Sequence, residues 1–169
     1  VRLGNLILDN PIIPASGTFG FGMEFAELYD LNILGSISFK GTTVEPREGN
    51  PQVRIADCNA GMLNSVGLQN PGMNSVLKKE LPRLTAIYKK PLIANISGFS
   101  KDEFVVLAET FSAADEVGIL EVNVSCPNVH AGGKNFGISP RETAEITSAV
   151  KKVSKKPVFV KLTPNVTDI

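Results

Sequence analysis

Cysteine and histidine are scarce in this 169-residue sequence: it has Cys58, Cys126 and the single His130. Two cysteines cannot build a disulfide framework. One histidine and two distant cysteines match no metal-ligand spacing, so no metal site is expected. Charge of one sign is lacking too: 17 basic residues balance 17 acidic ones. That leaves no electrostatic footprint for nucleic acid or an anionic membrane. No apolar run approaches the about 20 residues that cross a bilayer. The opening Val1-Arg2-Leu3-Gly4 does not read as a signal peptide. Both cysteines are therefore expected as reduced thiols in a cytoplasmic protein. There is no internal repeat, low-complexity tract or linker. There is also no G-x-G-x-x-G and no Walker A lysine loop, so a Rossmann nucleotide site is unsupported.

What remains is ordinary globular material, 43% apolar and 20% charged, enough for a single domain over residues 1–169 with a real core. Near-continuous apolar runs at Ile33 to Phe39, Leu92 to Ile96, Ile119 to Val124 and Val158 to Leu162 suit strands covered on both faces. Ile12 to Ala15 is a shorter candidate strand. It follows an expected hairpin, with Leu6-Ile7-Leu8 before the turn pair Asp9-Asn10. Helical patterns lie between the strands. Ser100 with Glu103 is a capping-box signature ahead of Phe104, Leu107, Ala108 and Phe111. Ser139-Pro140-Arg141-Glu142 is a second start, with Ile146, Val150 and Val153 as its stripe. Met73 to Tyr88 is a third, which Pro82 should kink or restart. Met23 to Tyr29 is a fourth. Alternating strands and helices imply α/β with a parallel sheet. The pattern fits both a doubly wound sheet and a (β/α)8 barrel. The segment from 45 to 70 is longer than a normal βα loop and is expected to be a lid or binding element.

Polar residues punctuate the strand ends. Ser16-Gly17 follows the first strand and Lys40-Gly41 the second. Asn95, Asn123 and Lys161 close the next three. The C-terminal ends of parallel strands form the active-site face of α/β folds, so these residues should converge on one pocket. Two lysines imply an anionic or electron-rich ligand. Two asparagines, each with a donor and an acceptor, suit the amide edges of a planar heterocycle. Cys126 sits in the loop Asn123-Val124-Ser125-Cys126-Pro127-Asn128, where an exposed thiol can act as base or nucleophile. Cys58 reads as structural and His130 as a solvated loop residue.

The stretches NPIIPASGTFG, SFKGTT, GMLNSVGLQN, ANISG, NVSCPN and FVKLTPN resemble, in order, the motifs of class 1 dihydroorotate dehydrogenases, and they span the whole chain. NVSCPNVHAGG followed by FGISP resembles the NAD-linked, heteromeric subclass (1B) more than the fumarate-linked one (1A). Cysteine at position 126 argues against the membrane-associated class 2, which has serine there. The resemblance implies an FMN-binding (β/α)8 TIM barrel with an N-terminal β-hairpin, of which this chain covers about the first five strands. Strands six to eight, with the glycine loops for the FMN phosphate, would lie beyond Ile169. It implies Ser16, Lys40, Gly41, Asn95, Asn123 and Lys161 as FMN contacts. It implies Lys40, Asn64, Ser65, Val66, Gly67, Leu68, Asn123 and Asn128 as substrate contacts, and Cys126 as the catalytic base. The implied reaction is oxidation of dihydroorotate to orotate, with electrons passed to NAD through a partner iron-sulfur flavoprotein carrying FAD and [2Fe-2S]. A homo- or hetero-oligomer is expected, without membrane or nucleic acid. The alternatives are the fumarate-linked enzyme, a related flavin barrel such as dihydropyrimidine dehydrogenase or a dihydrouridine synthase, and a non-catalytic half-barrel.

Overall fold

The computed structural model describes residues 1–4, 6–125 and 136–169. The chain opens with a short antiparallel hairpin, β1 (Arg2–Leu3) and β2 (Leu6–Ile7), with Arg2 opposite Ile7. The turn is therefore at Gly4, whose φ of 58° is left-handed, and not at Asp9-Asn10. Asn10 folds back locally instead, its Oδ1 accepting from the Ile12 N–H at 3.0 Å. The expected strand Ile12 to Ala15 does not form. Pro14 removes a donor from it and Pro11 another just ahead of it, and it runs as extended chain into α1 (Ser16–Phe19). The helix expected at Met23 to Tyr29 is the single turn α2 (Met23–Ala26).

The second run changes shape midway. The Asp30 side chain accepts from the Asn32 N–H at 2.9 Å and turns Leu31–Ile33 into a 3-10 helix. The strand begins later, as β3 (Ser38–Thr42), so Lys40 and Gly41 lie within it rather than after it. The long insert carries an exposed hairpin, β4 (Ile55–Cys58) and β5 (Gly61–Asn64). It is followed by α3 (Met73–Ser75), a π-helical stretch Val76–Glu80, and α4 (Leu81–Ile87). Pro82 lacks an N–H and crowds the preceding turn. The widened π turn just ahead of it is how one continuous helical segment accommodates it.

Then β6 (Leu92–Ile96), α5 (Lys101–Ser112), β7 (Val117–Asn123), α6 (Pro140–Val153) and β8 (Val158–Lys161) alternate as expected. Ser100 Oγ accepts from the Glu103 N–H at 3.2 Å, while Glu103 reaches back to the Phe99 N–H at 2.6 Å. At the start of α6, Ser139 Oγ accepts from the Glu142 N–H at 3.3 Å. The strands pair in the order β3-β6-β7-β8, all parallel.

One face of this sheet packs on the helices. Phe39, Leu92, Ala94, Ile96, Leu120 and Val122 meet Phe104, Leu107 and Phe111 of α5 in a single core. The Phe39 and Phe111 rings lie 5.6 Å apart. A fully buried Phe or Leu contributes roughly 1.5–3 kcal/mol, and this face holds the sheet together. The other face is mixed. Ser38, Ile93, Ile119, Glu121, Phe159 and Lys161 line a cavity of about 390 Å³. The N-terminal hairpin closes its lower end. Leu6 packs so tightly under Gly118 that a Cβ there would come within 2.5 Å of Leu6 Cδ1, and Gly4 lies against Pro157. Pro157 and Gly118 stand at the starts of β8 and β7, so the polar strand ends face the opposite way, upward.

Candidate active site

β6 and β7 join their C-terminal ends through a side-chain hydrogen bond between Asn95 and Asn123, and Ser38 at the start of β3 is tied in below them. Asn95 is fully buried and Asn123 nearly so. Asn123 Nδ2 donates to Asn95 Oδ1 at 3.4 Å, and Asn123 Oδ1 accepts from the Ser125 N–H at 3.2 Å and its hydroxyl at 3.1 Å. Below them, Asn95 Nδ2 donates to Glu121 Oε2, which also accepts from Ser38 Oγ at 2.8 Å. Lys161 pairs with Asn123 in the β7–β8 ladder, so the next strand places a cation beside the asparagines.

Gly41 shows why the strand end must be bare. A Cβ at this position would stand 2.8 Å from Asn95 Oδ1, 3.4 Å from Ser97 Oγ and 3.6 Å from Leu68 Cδ2. Gly41, Asn95, Ser97 and Leu68 thus share one small cradle. The Ser97 hydroxyl there is buried without a hydrogen-bond partner among the described residues, which fits a polar ligand atom arriving at that point.

Leu68 reaches the cradle because the long insert folds back over the strand ends. Buried Asn70 ties it down: Nδ2 donates to the Leu68 carbonyl at 2.7 Å, and Oδ1 accepts from the N–H groups of Thr43 (3.2 Å) and Gly72 (2.9 Å). Further out, Asn50 holds Ser65 and Val66. Its Nδ2 donates to the Ser65 carbonyl at 3.2 Å, and its N–H to the Val66 carbonyl at 3.0 Å. Gly67 (φ 76°) is pressed on Asn50, and Leu68 itself adopts a left-handed φ of 58°. A non-glycine residue there is strained, and such strain gathers at ligand clamps.

The expected residues fall into two groups. Gly41, Leu68, Asn95 and Asn123 meet directly, with Lys161 beside Asn123. Lys40 lines a cavity of about 720 Å³ with Arg47, Gln69 and Asn70, which also takes in Glu24, Glu48 and Glu80. Arg47 lies with its guanidinium carbon 4.5 Å from the Phe99 ring centroid, and its buried Nε has no hydrogen-bond partner among the described residues. Ser16 is buried at the start of α1, next to Ala15 on the wall of the smaller cavity. Asn64 stands exposed at the end of β5. Cys126, Asn128 and His130 lie outside the described residues.

Sequence reading missed Ser38, Ser97, Glu121, Arg47 and Asn70. Glu121 was the most visible of them. It is a charge inside an apolar strand, two residues before Asn123 and so on the same face.

The donor set suits a flavin: amide groups for a planar heterocycle, a lysine beside them, and a glycine that lets a ring approach the backbone. Comparison with known proteins bears on this directly. The family model described as dihydroorotate dehydrogenase matches residues 1–169. The chain belongs to the dihydroorotate dehydrogenase family. It is 57% identical over its whole length to the dihydroorotate dehydrogenase B (NAD(+)) catalytic subunit of Bacillus pumilus, covering 54% of that protein. It is 56% identical to the same subunit of Geobacillus kaustophilus, again over 54% of it. The chain thus spans about half the length of the curated relatives it matches. A crystal structure of dihydroorotate dehydrogenase from Eimeria tenella in complex with ferulenol superposes with a TM-score of 0.71 at 18% identity, over 98% of this chain and 52% of that one. That likeness gives the fold as the (β/α)8 barrel of dihydroorotate dehydrogenases, entered by its hairpin and first half, and decides against a doubly wound sheet.

Proposed function

We propose that residues 1–169 form the N-terminal part of an FMN-binding barrel that oxidises dihydroorotate to orotate in pyrimidine biosynthesis, most like the NAD-linked subclass. The observation that carries this reading is the cradle at Gly41. There, three parallel strand ends and the folded-back insert offer buried amides, a hydroxyl unpaired among the described residues, and no side-chain bulk. Gly41, Asn95, Asn123, Ser16, Lys40 and Lys161 would hold FMN, and Ser97 joins them. FMN, when bound, supplies the hydride acceptor. Lys161 would be a fixed cation for negative charge developing on a bound flavin, needing no reorganisation at the moment of reaction. Lys40 meets the substrate carboxylate, with Asn64 to Leu68, Asn123 and Asn128 orienting the pyrimidine. The Cys126 thiolate takes the C5 proton.

The relatives' name, a catalytic subunit, supports a partner. We assign that partner the FAD and [2Fe-2S] cluster that pass electrons to NAD, and place the complex in the cytoplasm. Among the described residues no helix is long and apolar enough to cross a membrane. The test is steady-state turnover of the purified holoprotein. Orotate should form from dihydroorotate with NAD as acceptor when the partner is present. Turnover with fumarate alone would move the protein to the fumarate-linked subclass. A colourless protein without turnover would leave a non-catalytic barrel segment.

A further inference from the structure

The hydrogen bonds beneath the cradle run in one direction, and Glu121 sets it. An asparagine amide can face either way, since its two ends differ only in donating or accepting. A carboxylate only accepts. Glu121 Oε2 takes one hydrogen bond from Ser38 Oγ at 2.8 Å and one from Asn95 Nδ2. Asn95 must therefore turn its Nδ2 to Glu121 and its Oδ1 away. That oxygen can only accept, so Asn123 must present Nδ2 to it, at 3.4 Å. Asn123 Oδ1 is then left to accept from the N–H and hydroxyl of Ser125, the residue before Cys126 in sequence.

From this we infer that Glu121 is a positioning residue for the flavin site. It acts through Asn95 and Asn123, fixing the amide orientation that the cradle presents and tethering Ser125. The inference rests on the proposed flavin reading and deepens it. Its structural logic is that Glu121 shares an inner face with Ile93 and Ile119, where an apolar residue would pack without desolvating a charge. The two hydrogen bonds that the carboxylate accepts both come from neutral donors, Ser38 Oγ and Asn95 Nδ2. Its contribution is orientation.

The experiment compares Glu121→Met, Glu121→Gln and Ser38→Ala in the purified holoprotein, by two readouts. One is hydrogen exchange at the Ser125 amide. The other is the FMN dissociation constant from flavin fluorescence. Glu121→Met removes the acceptor and should speed exchange and weaken FMN binding, each by about tenfold, the upper range for one hydrogen bond. Glu121→Gln keeps an acceptor oxygen and should restore both to within a few-fold. Ser38→Ala touches the same carboxylate but not the relay, and should leave Ser125 exchange near wild type. The inference is overturned if Glu121→Met leaves both readouts unchanged, or if Ser38→Ala matches it. Should Glu121→Met not fold, Asn95→Leu cuts the relay one step later and carries the same expectation at Ser125. A wild-type protein that binds no FMN sinks the flavin reading, while Ser125 exchange still decides the role of Glu121.

Discussion

Replacing Gly41 with alanine tests the cradle with one methyl group. The added Cβ would lie 2.8 Å from Asn95 Oδ1, closer than real Cβ contacts come, and 3.4 Å from Ser97 Oγ. The backbone of Gly41 is not left-handed, so this contact, and not φ strain, is the perturbation. Two relaxations are open. The β3–β6 pair can spread, at the about 1–3 kcal/mol typical of overpacking a core. Alternatively the Asn95 amide can rotate, leaving its buried bonds to Glu121 and Asn123 unmade, at about 1–3 kcal/mol for a stranded polar group. Either route also narrows the approach of a ring to the strand. The expected result is a clear fall in melting temperature and a loss of bound FMN of at least about tenfold, corresponding to about 1.4 kcal/mol. Gly17→Ala is the control, because a Cβ there meets nothing within 4 Å. Flavin absorbance per protein and thermal denaturation read both variants. A Gly41→Ala protein as yellow and as stable as Gly17→Ala would refute the steric argument.

Cys126→Ser should cut dihydroorotate turnover by orders of magnitude with flavin still bound, because a hydroxyl is a far weaker base. Near-normal turnover in a kinetic assay would remove Cys126 from the mechanism. Lys161→Ala should lower the flavin reduction potential, measured by dye equilibration, and Lys40→Ala should raise KM for dihydroorotate; unchanged values in both make the lysines structural. Burial pushes the Tyr88 hydroxyl up to about 12, so the fold favours its neutral form. That share of stability is whole below the ordinary tyrosine value of about 10 and lost as pH rises through about 12. Tyr88→Phe gives up only a 3.5 Å hydrogen bond to the Leu34 carbonyl. It should change neutral-pH stability by less than about 1 kcal/mol and raise the alkaline unfolding midpoint, and an unmoved midpoint would contradict this.

The sequence was most legible where one local rule acted without competition. β6, β7 and β8 are apolar runs with no proline inside, and α5 and α6 begin at the capping residues Ser100 and Ser139. It misled where side chains redirected the backbone: Asp30 bending Leu31–Ile33, and the prolines keeping Ile12 to Ala15 out of the sheet. The strand-end residues Asn95, Asn123 and Lys161 were readable because parallel topology sends strand ends one way. The supports were not. Asn70 and Asn50 act across a loop by hydrogen bonds that no periodicity encodes, and Ser97 matters because its buried hydroxyl finds no partner among the described residues. Glu121 could have been found, since a charge on the inward face of an apolar strand requires a reason.

We propose that the barrel to which this chain contributes takes two electrons from dihydroorotate through a bound flavin. Anaerobic mixing of the purified holoprotein with dihydroorotate, followed by flavin absorbance and orotate formation, tests it most directly. Bleaching of the flavin with about one orotate formed per flavin is the predicted result. A flavin that dithionite bleaches and dihydroorotate leaves oxidised would contradict the account.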